Sequence, residues 1–242
     1  MKKMLFLTII FIAVPSFFIL TYQEPKAIEI MKEEKNIEIA KEEKSITIRV
    51  RQTTKNKIIE LDLEDYVKGV IAGEMPVSFN IEALKAQAIA ARTYGVKRIN
   101  KNNNYDVVDT VMNQVYLDDE TLKIKWGNNY DKYMNKIIEA VEKTKGEYVD
   151  YKGNYADTLF FSTSVGNTEN SEEIFGNKIE YLRSVSSEWD EEVSPVYEEK
   201  NIFTRESFCK KLGLTDCSKI YVTITNETST GRIKNIIINN KS

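Results

Sequence analysis

Histidine is absent from all 242 residues of the chain. This absence excludes the Ser-His-Asp and Cys-His nucleophile systems in their usual forms. It also excludes zinc sites built on histidine, including the catalytic zinc sites of amidases and metalloproteases. An enzyme of this composition must therefore use Glu, Asp, Lys, Tyr or Cys as its acid or base.

Cysteine is nearly absent, and basic residues are not in excess. Cys209 and Cys217 alone make a poor zinc site, so we expect no metal and no cofactor. Outside the cytoplasm the two can form a disulfide, and the alternative is a pair of reduced, partly buried thiols. The net charge is −3, so no overall positive field is available to hold nucleic acid.

The N terminus carries an apolar run from Met4 to Leu20, directly after Lys2 and Lys3. The run is slightly shorter than the roughly 20 residues that span a bilayer, but no small-residue cleavage site closes it. We therefore favour a membrane anchor at 1–22, with its N terminus inside, over a cleaved signal peptide. Alternating Glu and Lys at 23–45 predict a linker, which would hold the rest of the chain outside the cytoplasm.

Residues 46–242 are expected to form the folded domain, and their mixed periodicity predicts an α+β fold. Alternation at 46–51 and 57–61 predicts a hairpin. The later predicted elements are a helix at 130–145, hairpins at 147–161 and 219–239, a strand at 181–185, an acidic loop at 186–199 and a helix at 206–214. We expect a single mixed domain of several helices and short antiparallel hairpins that form a substrate groove, preceded by the transmembrane anchor.

Two helices are predicted on either side of Glu74. Asp62 is placed to cap the first helix, which Gly73 is expected to end, and Pro76 cannot continue it. Asn80 is placed to cap the second. Glu74 then lies on a fixed elbow, which suits a group that needs accurate placement. From this pattern alone, a solvated surface glutamate is the more common case.

The elbow region contains two sequence blocks, LEDYVKGVIAGEMP at 63–76 and EALKAQAIAARTY at 82–94. They closely resemble the signature of the stage II sporulation protein D family, which includes the amidase-enhancer-type proteins. Smaller blocks agree, and they are FSTS at 161–164, TEN at 168–170, YLRSV at 181–185 and, more weakly, NQVY at 113–116.

The resemblance implies a membrane-anchored peptidoglycan lytic transglycosylase, with residues 46–242 as its catalytic domain. Such an enzyme cleaves the MurNAc–GlcNAc bond of glycan strands during forespore engulfment. It also implies a location in the mother-cell membrane facing the septal space, beside an amidase/endopeptidase partner. Glycosidic cleavage needs a proton on the leaving oxygen. A lytic transglycosylase needs no activated water, because the 6-hydroxyl of the sugar itself closes onto C1, so one Glu can serve as acid and then as base.

Residue by residue, the resemblance makes Glu74 the catalytic acid and base. Arg92 matches an arginine needed for activity, which would hold the substrate or orient Glu74, and its alternatives are an exposed residue or a structural ion pair. Tyr181 and Arg183 match a functional tyrosine and a basic residue, and they could bind sugar by stacking and hydrogen bonds. A tyrosine in a strand is more often a packing residue.

The serine-rich block supplies the remaining candidates for glycan binding. Ser162, Thr163 and Ser164 could donate hydrogen bonds to glycan hydroxyls or satisfy a turn. Phe161 stands where the family usually has histidine. Two other functions stay open: a non-catalytic glycan-binding module that enhances a cell-wall amidase, and an anchored structural protein of the septal membrane.

Overall fold

The computed structural model describes residues 45–240. The predicted anchor and all but the last residue of the linker lie outside this range. No helix within it is long and apolar enough to cross a bilayer. Helices and short sheets alternate along the described chain, which confirms the α+β class. The chain divides into two compact units, one ending at Thr158 and one beginning at Leu159.

A three-stranded sheet opens the first unit. Strand β1 (Thr47–Gln52) pairs with β2 (Lys57–Asp62) in antiparallel fashion, which confirms the predicted hairpin. On its other side β1 pairs in parallel with the short strand β3 (Val107–Val108). Ile48 and Val50 are fully buried, because alternate residues of β1 share the face that points to the core.

Helices complete the first unit, and they are α1 (Leu63–Glu74), α2 (Ile81–Arg98), α3 (Asp119–Trp126) and α4 (Tyr130–Glu142). Both predicted caps are confirmed: Asp62 accepts a hydrogen bond from the backbone N–H of Glu64, and Asn80 accepts one from that of Glu82. Each cap satisfies a backbone donor that the first turn of a helix leaves unpaired.

The core of the first unit lies between β1 and helices α1, α2 and α4. Small residues along α2 allow α1 to approach closely. A Cβ added at Gly95 would lie 3.1 Å from the ring of Tyr66 and 3.4 Å from Leu63, both on α1. The Tyr66 ring is fully buried in this contact. The glycine of α2 therefore makes room for a large aromatic side chain of α1.

Several predicted helix boundaries were wrong. Helix α1 continues through Gly73 and ends at Glu74, after which Met75 is extended, as the following proline requires. Gly73 keeps helical geometry because its missing side chain serves packing rather than termination. Helix α4 ends at Glu142 rather than near Lys145. Helix α3 was not predicted, since one buried residue leaves it almost no apolar stripe.

The hairpin predicted at 147–161 is much shorter than expected. It consists of β4 (Asp150–Tyr151) and β5 (Asn154–Tyr155). The turn residues Lys152 and Gly153 both have positive φ, 53° and 79°. This conformation suits the primed turns that join two antiparallel strands.

The second unit contains small elements joined by long irregular segments. They are β6 (Gly166–Asn167), α5 (Ser171–Phe175), β7 (Ser186–Ser187), α6 (Trp189–Val193), α7 (Arg205–Leu212), β8 (Val222–Glu227) and β9 (Ile233–Ile238). Strand β6 pairs with β7, and β8 pairs with β9. The predicted final hairpin and the helix at 206–214 are confirmed within a few residues. Cys209 and Cys217 form a disulfide, so the oxidised alternative is the observed one.

Two predictions for the second unit were wrong. The strand expected at 181–185 is irregular, and the paired residues fall just after it, in β7. The acidic segment at 186–199 is not only a loop, because it contains β7 and helix α6. A two-residue strand or a five-residue helix is too short to show a period in the sequence.

Candidate active site

Glu74 occupies the last position of α1 and is half-buried. Its Oε1 accepts a hydrogen bond from the backbone N–H of Val115, with an N···O distance of 2.6 Å. Within residues 45–240 no other hydrogen bond reaches this carboxylate. Oε2 is therefore the oxygen of this carboxylate that is left open to a further partner.

The segment that carries Val115 lies directly on α1. A Cβ at Gly73 would come within 2.5 Å of the Val115 carbonyl oxygen, and one at Gly69 within 2.3 Å of the Tyr116 ring. The backbone N–H of Leu117 also donates to the carbonyl of Gly69, at 3.2 Å. Both glycines are therefore required for the close approach that brings the Val115 amide to Glu74.

Two lysines fix the backbone on either side of the elbow. The Nζ of Lys125 donates to the carbonyl of Ala72, at 3.2 Å. The Nζ of Lys136 donates to the carbonyls of Val77 and Phe79, at 2.8 and 2.5 Å. A cation at the C-terminal end of a helix also complements the partial negative charge there. The elbow that follows Glu74 is thus held by side chains from α3 and α4.

Arg92 lies in the core and has no exposed surface. Its Nε and one terminal nitrogen donate to the two carboxylate oxygens of Glu64, at 2.8 and 2.7 Å. The remaining donors face the Glu147 and Val141 carbonyls and the Thr144 hydroxyl, at 3.3 to 3.4 Å. A buried guanidinium needs such a complete set of partners.

This geometry favours the structural ion pair over the substrate contact predicted for Arg92. Glu64 lies ten residues before Glu74 on α1, which corresponds to about 15 Å along the helix axis. Arg92 therefore contacts the end of α1 opposite to Glu74. In this structure Arg92 has no exposed surface to offer a glycan, and its hydrogen bonds go to residues other than Glu74.

Arg183 lies in the second unit and forms a two-pronged ion pair with Glu172, at 2.8 and 2.5 Å. It also donates to the Ser171 hydroxyl at 2.8 Å and to the Ile179 carbonyl at 3.2 Å. Hydrogen bonds from Arg183 lower the pKa of Glu172 to about 2. Tyr181 lies in the turn just before this arginine and is half-buried. Both residues stay predicted glycan contacts.

The serine-rich loop has three differently placed side chains. Ser162 is exposed. Thr163 shares a hydrogen bond with the Ser194 hydroxyl, at 2.6 Å. Ser164 is buried, with its hydroxyl against that of Ser187 and its backbone N–H donating to Asp190, at 2.7 Å. These contacts favour the second of the two roles predicted for Ser164, that of satisfying the turn.

The first unit holds Glu74 and Arg92, and the second holds the other predicted site residues. Sequence reasoning missed Val115, Lys125 and Lys136, which bind the last turn of α1 and the elbow. Nothing in the sequence distinguishes these two lysines from the others, because most lysines lie on the surface in contact with water. The weak block at 113–116 was the only sequence feature that pointed to Val115.

Comparison with known proteins decides the family. A family model described as SpoIID, Stage II sporulation protein, matches residues 51–151. Stage II sporulation protein D of Bacillus amyloliquefaciens is 35% identical over an alignment of 263 residues, gaps included. This alignment covers 100% of this chain and 76% of that protein. The chain belongs to the stage II sporulation protein D family. Membership associates it with sporulation.

Two further relatives of this stage II sporulation protein D family member come from Bacillus subtilis (strain 168). Its stage II sporulation protein D is 40% identical over 203 residues, which cover 81% of this chain and 59% of that protein. Its amidase enhancer is 34% identical over 178 residues, covering 72% of this chain but only 22% of that protein. The chain thus spans 59% of the length of this stage II sporulation protein D and 22% of the length of the amidase enhancer.

Proposed function

We propose that this protein is a peptidoglycan lytic transglycosylase that cleaves the MurNAc–GlcNAc bond of glycan strands during forespore engulfment. The observation that carries the proposal is the environment of Glu74. Its carboxylate is half-buried at a helix end, one oxygen is held by the Val115 amide, and the other oxygen has no partner within the described range. Membership in a sporulation family linked to cell-wall degradation supports the substrate class.

One carboxyl group is enough for the whole reaction. Protonated Oε2 of Glu74 gives its proton to the oxygen that leaves C1 of MurNAc, and the C1–O bond breaks as positive charge develops on the sugar. The carboxylate then accepts the proton of the 6-hydroxyl while that oxygen bonds to C1. The products are a 1,6-anhydromuramoyl end and a free GlcNAc hydroxyl. Glu74 ends protonated, and no water is consumed.

The surroundings of Glu74 suit this double use of one side chain. The Val115 amide holds Oε1, which restricts rotation of the carboxylate and directs both proton transfers to Oε2. Lys125 and Lys136 fix the backbone around the elbow. Half burial leaves the group reachable by a glycan.

We further propose binding and location for the whole protein. Tyr181, Arg183 and the exposed Ser162 would contact the glycan strand by stacking and hydrogen bonds. Residues 1–22 would anchor the chain in the mother-cell membrane, with the catalytic part facing the septal space. A membrane-associated amidase/endopeptidase of the engulfment machinery would be its partner, and a relative named amidase enhancer supports that pairing.

The test is mass spectrometry of purified peptidoglycan digested with the full chain. We expect 1,6-anhydromuramoyl ends from the wild type and none above background from Glu74→Gln. Glu82→Gln is the matched control, because Glu82 is an exposed glutamate on α2 whose partner is Lys85 on the same helix. Equal product from wild type and Glu74→Gln would contradict the assignment.

A second candidate is a non-catalytic glycan-binding module that enhances a cell-wall amidase. The similarity to an amidase enhancer over 72% of this chain favours it. The same digest separates the two functions. Binding to sedimented peptidoglycan and faster release of stem peptides by an added amidase, without anhydromuramoyl ends, would support the module.

A further inference from the structure

We propose that the segment Asn113–Tyr116 is the element that positions Glu74, with Asn113 and Gln114 as positioning residues. The inference rests on the proposed function, since it concerns how the acid and base is held. Its physical basis is the single hydrogen bond from the Val115 amide to Glu74. The orientation of the carboxylate depends on where that amide lies.

The backbone of this positioning segment has no regular structure to fix it. Strand β3 ends at Val108 and helix α3 begins at Asp119. Among residues 45–240, few backbone hydrogen bonds hold the segment: Asn113 donates to Thr110 and Tyr116 to Asp109, and Leu117, directly after the segment, donates to Gly69. Side chains must therefore supply the rest of the anchoring.

Asn113 links the segment to two neighbouring elements. Its Oδ1 accepts a hydrogen bond from the backbone N–H of Val108, at 2.8 Å. Its Nδ2 donates to the hydroxyl of Tyr94 on α2, at 3.1 Å. One side-chain amide thus joins the end of β3 to α2, two residues before the amide that holds Glu74.

Gln114 links the segment to the helix that carries Glu74. It is 1% exposed, and its Oε1 accepts a hydrogen bond from the hydroxyl of Tyr66 on α1, at 2.9 Å. Burial raises the pKa of Tyr66, so this hydroxyl stays a donor throughout the physiological range. The Tyr116 ring stacks on the same tyrosine, with centroids 5.8 Å apart.

The side-chain nitrogen of Gln114, Nε2, is buried without a hydrogen-bond partner among residues 45–240. An unpaired buried amide destabilises a fold, and an apolar side chain of similar size would avoid that cost. The bond to Tyr66 is therefore the reason to have an amide here. This hydrogen bond fixes the position of the neighbouring Val115 relative to α1. Its partner on the helix, Tyr66, lies about two helical turns before Glu74.

A change at either amide should act on the chemical step. Gln114 is buried and cannot touch a glycan, so loss of its bond should displace the Val115 amide and misorient Glu74. We expect Asn113→Leu and Gln114→Met to lower kcat by about 10-fold or more while KM stays within about twofold. Asn113→Asp keeps the acceptor for Val108 and should recover most of the activity.

NMR on the isotope-labelled full chain supplies a readout that does not need catalysis. The amide proton of Val115 should be shifted downfield by its hydrogen bond to the Glu74 carboxylate. Glu74→Gln should strongly reduce that shift, which we call the Val115 response. We expect Asn113→Leu and Gln114→Met to abolish or strongly reduce it, and the exposed Asn104→Leu to leave it unchanged. If Asn113→Leu does not fold, Tyr94→Phe removes only the partner of its Nδ2 and carries the same expectation.

The outcomes separate this inference from the proposed function. Lower kcat together with a lost Val115 response supports positioning. Wild-type kcat and an intact Val115 response in both variants would overturn it. An inactive wild type would refute the transglycosylase function, while the Val115 response would still decide whether these residues position the carboxylate.

Discussion

A glutamate lies near each end of helix α1, and the two carboxylates differ in how completely they are hydrogen-bonded. Near the N-terminal end, Glu64 has both oxygens bound by the buried Arg92. At the C-terminal end, Glu74 has one oxygen held by a backbone amide and the other without a partner in residues 45–240. The fully paired carboxylate stabilises the fold, and the half-paired one is available for chemistry.

This difference explains how two residues singled out by neighbouring sequence blocks, Glu74 and Arg92, can have different roles. Arg92 lies on α2, beside α1, and its guanidinium forms an ion pair with Glu64 near the N-terminal end of α1, remote from Glu74. Loss of Arg92 would reduce the proposed activity by destabilising the unit that carries Glu74. An arginine needed for activity need not touch the substrate.

The largest expected effect is on catalysis, at Glu74. Glu74→Gln should lower the rate of glycan cleavage by about 100-fold or more, because the amide cannot donate and accept the proton. The free energy of unfolding should change by less than about 0.5 kcal/mol, since no ion pair is lost. Product mass spectrometry and urea unfolding check the two parts. A large loss of stability would show that Glu74 is structural.

The next effect is on stability, at the other end of α1. Arg92→Met should lower the free energy of unfolding by about 3 kcal/mol, because it leaves the mostly buried Glu64 carboxylate unpaired. Urea unfolding measures it. Replacing both partners with Glu64→Leu and Arg92→Met should recover much of that loss. A folded Arg92→Met protein with raised KM and unchanged stability would instead indicate a substrate contact.

A smaller effect is expected where the positioning segment meets α1. Gly73→Ala places a methyl group against the Val115 carbonyl and should cost about 1–3 kcal/mol of stability through overpacking. It should also reduce cleavage about 10-fold, because the Val115 amide moves with the carbonyl. Thermal unfolding and product assays test this. Ala86→Ser, on the exposed side of α2, is the control and should change neither quantity.

The smallest effect is a pH dependence in the second unit, where an exposed ion pair contrasts with the buried pair of Arg92. Arg183 lowers the pKa of Glu172 from its ordinary value of 4.5 to about 2. The stability from this pair is present above about pH 4.5 and is lost as the pH falls toward 2. Wild type should therefore unfold at a slightly higher temperature than Glu172→Gln at pH 7.

That small advantage should disappear near pH 2, where Glu172 becomes protonated. Calorimetry at both pH values would measure it. Glu198→Gln, which affects only an exposed pair with Lys200, should show no such trend. An advantage of wild type that persists unchanged at pH 2 would contradict a stabilising ion pair between Arg183 and Glu172.

Local chemistry explains which parts of the fold could be predicted. Asp62 and Asn80 each cap a helix by accepting a hydrogen bond from a backbone N–H only two residues further along the chain. Their role can therefore be predicted from the local sequence. The β1–β2 hairpin is equally local, because alternation and a four-residue turn specify its register. The elbow at Met75 follows from the proline after it.

The remaining parts depend on contacts between distant residues. Val115 lies 41 residues from Glu74, and Glu64 lies 28 residues from Arg92. No period or spacing rule connects such pairs. Gly73 illustrates the consequence: a glycine near a helix end predicts termination, but here it makes room for the Val115 carbonyl.

The central claim is that Glu74 cleaves a glycosidic bond without using water. Digestion of peptidoglycan in water enriched in the heavy oxygen isotope tests it most directly. We expect 1,6-anhydromuramoyl ends that contain no heavy oxygen, formed by the wild type and not by Glu74→Gln. Reducing MurNAc ends that carry one heavy oxygen atom, or anhydro ends formed equally by Glu74→Gln, would contradict it.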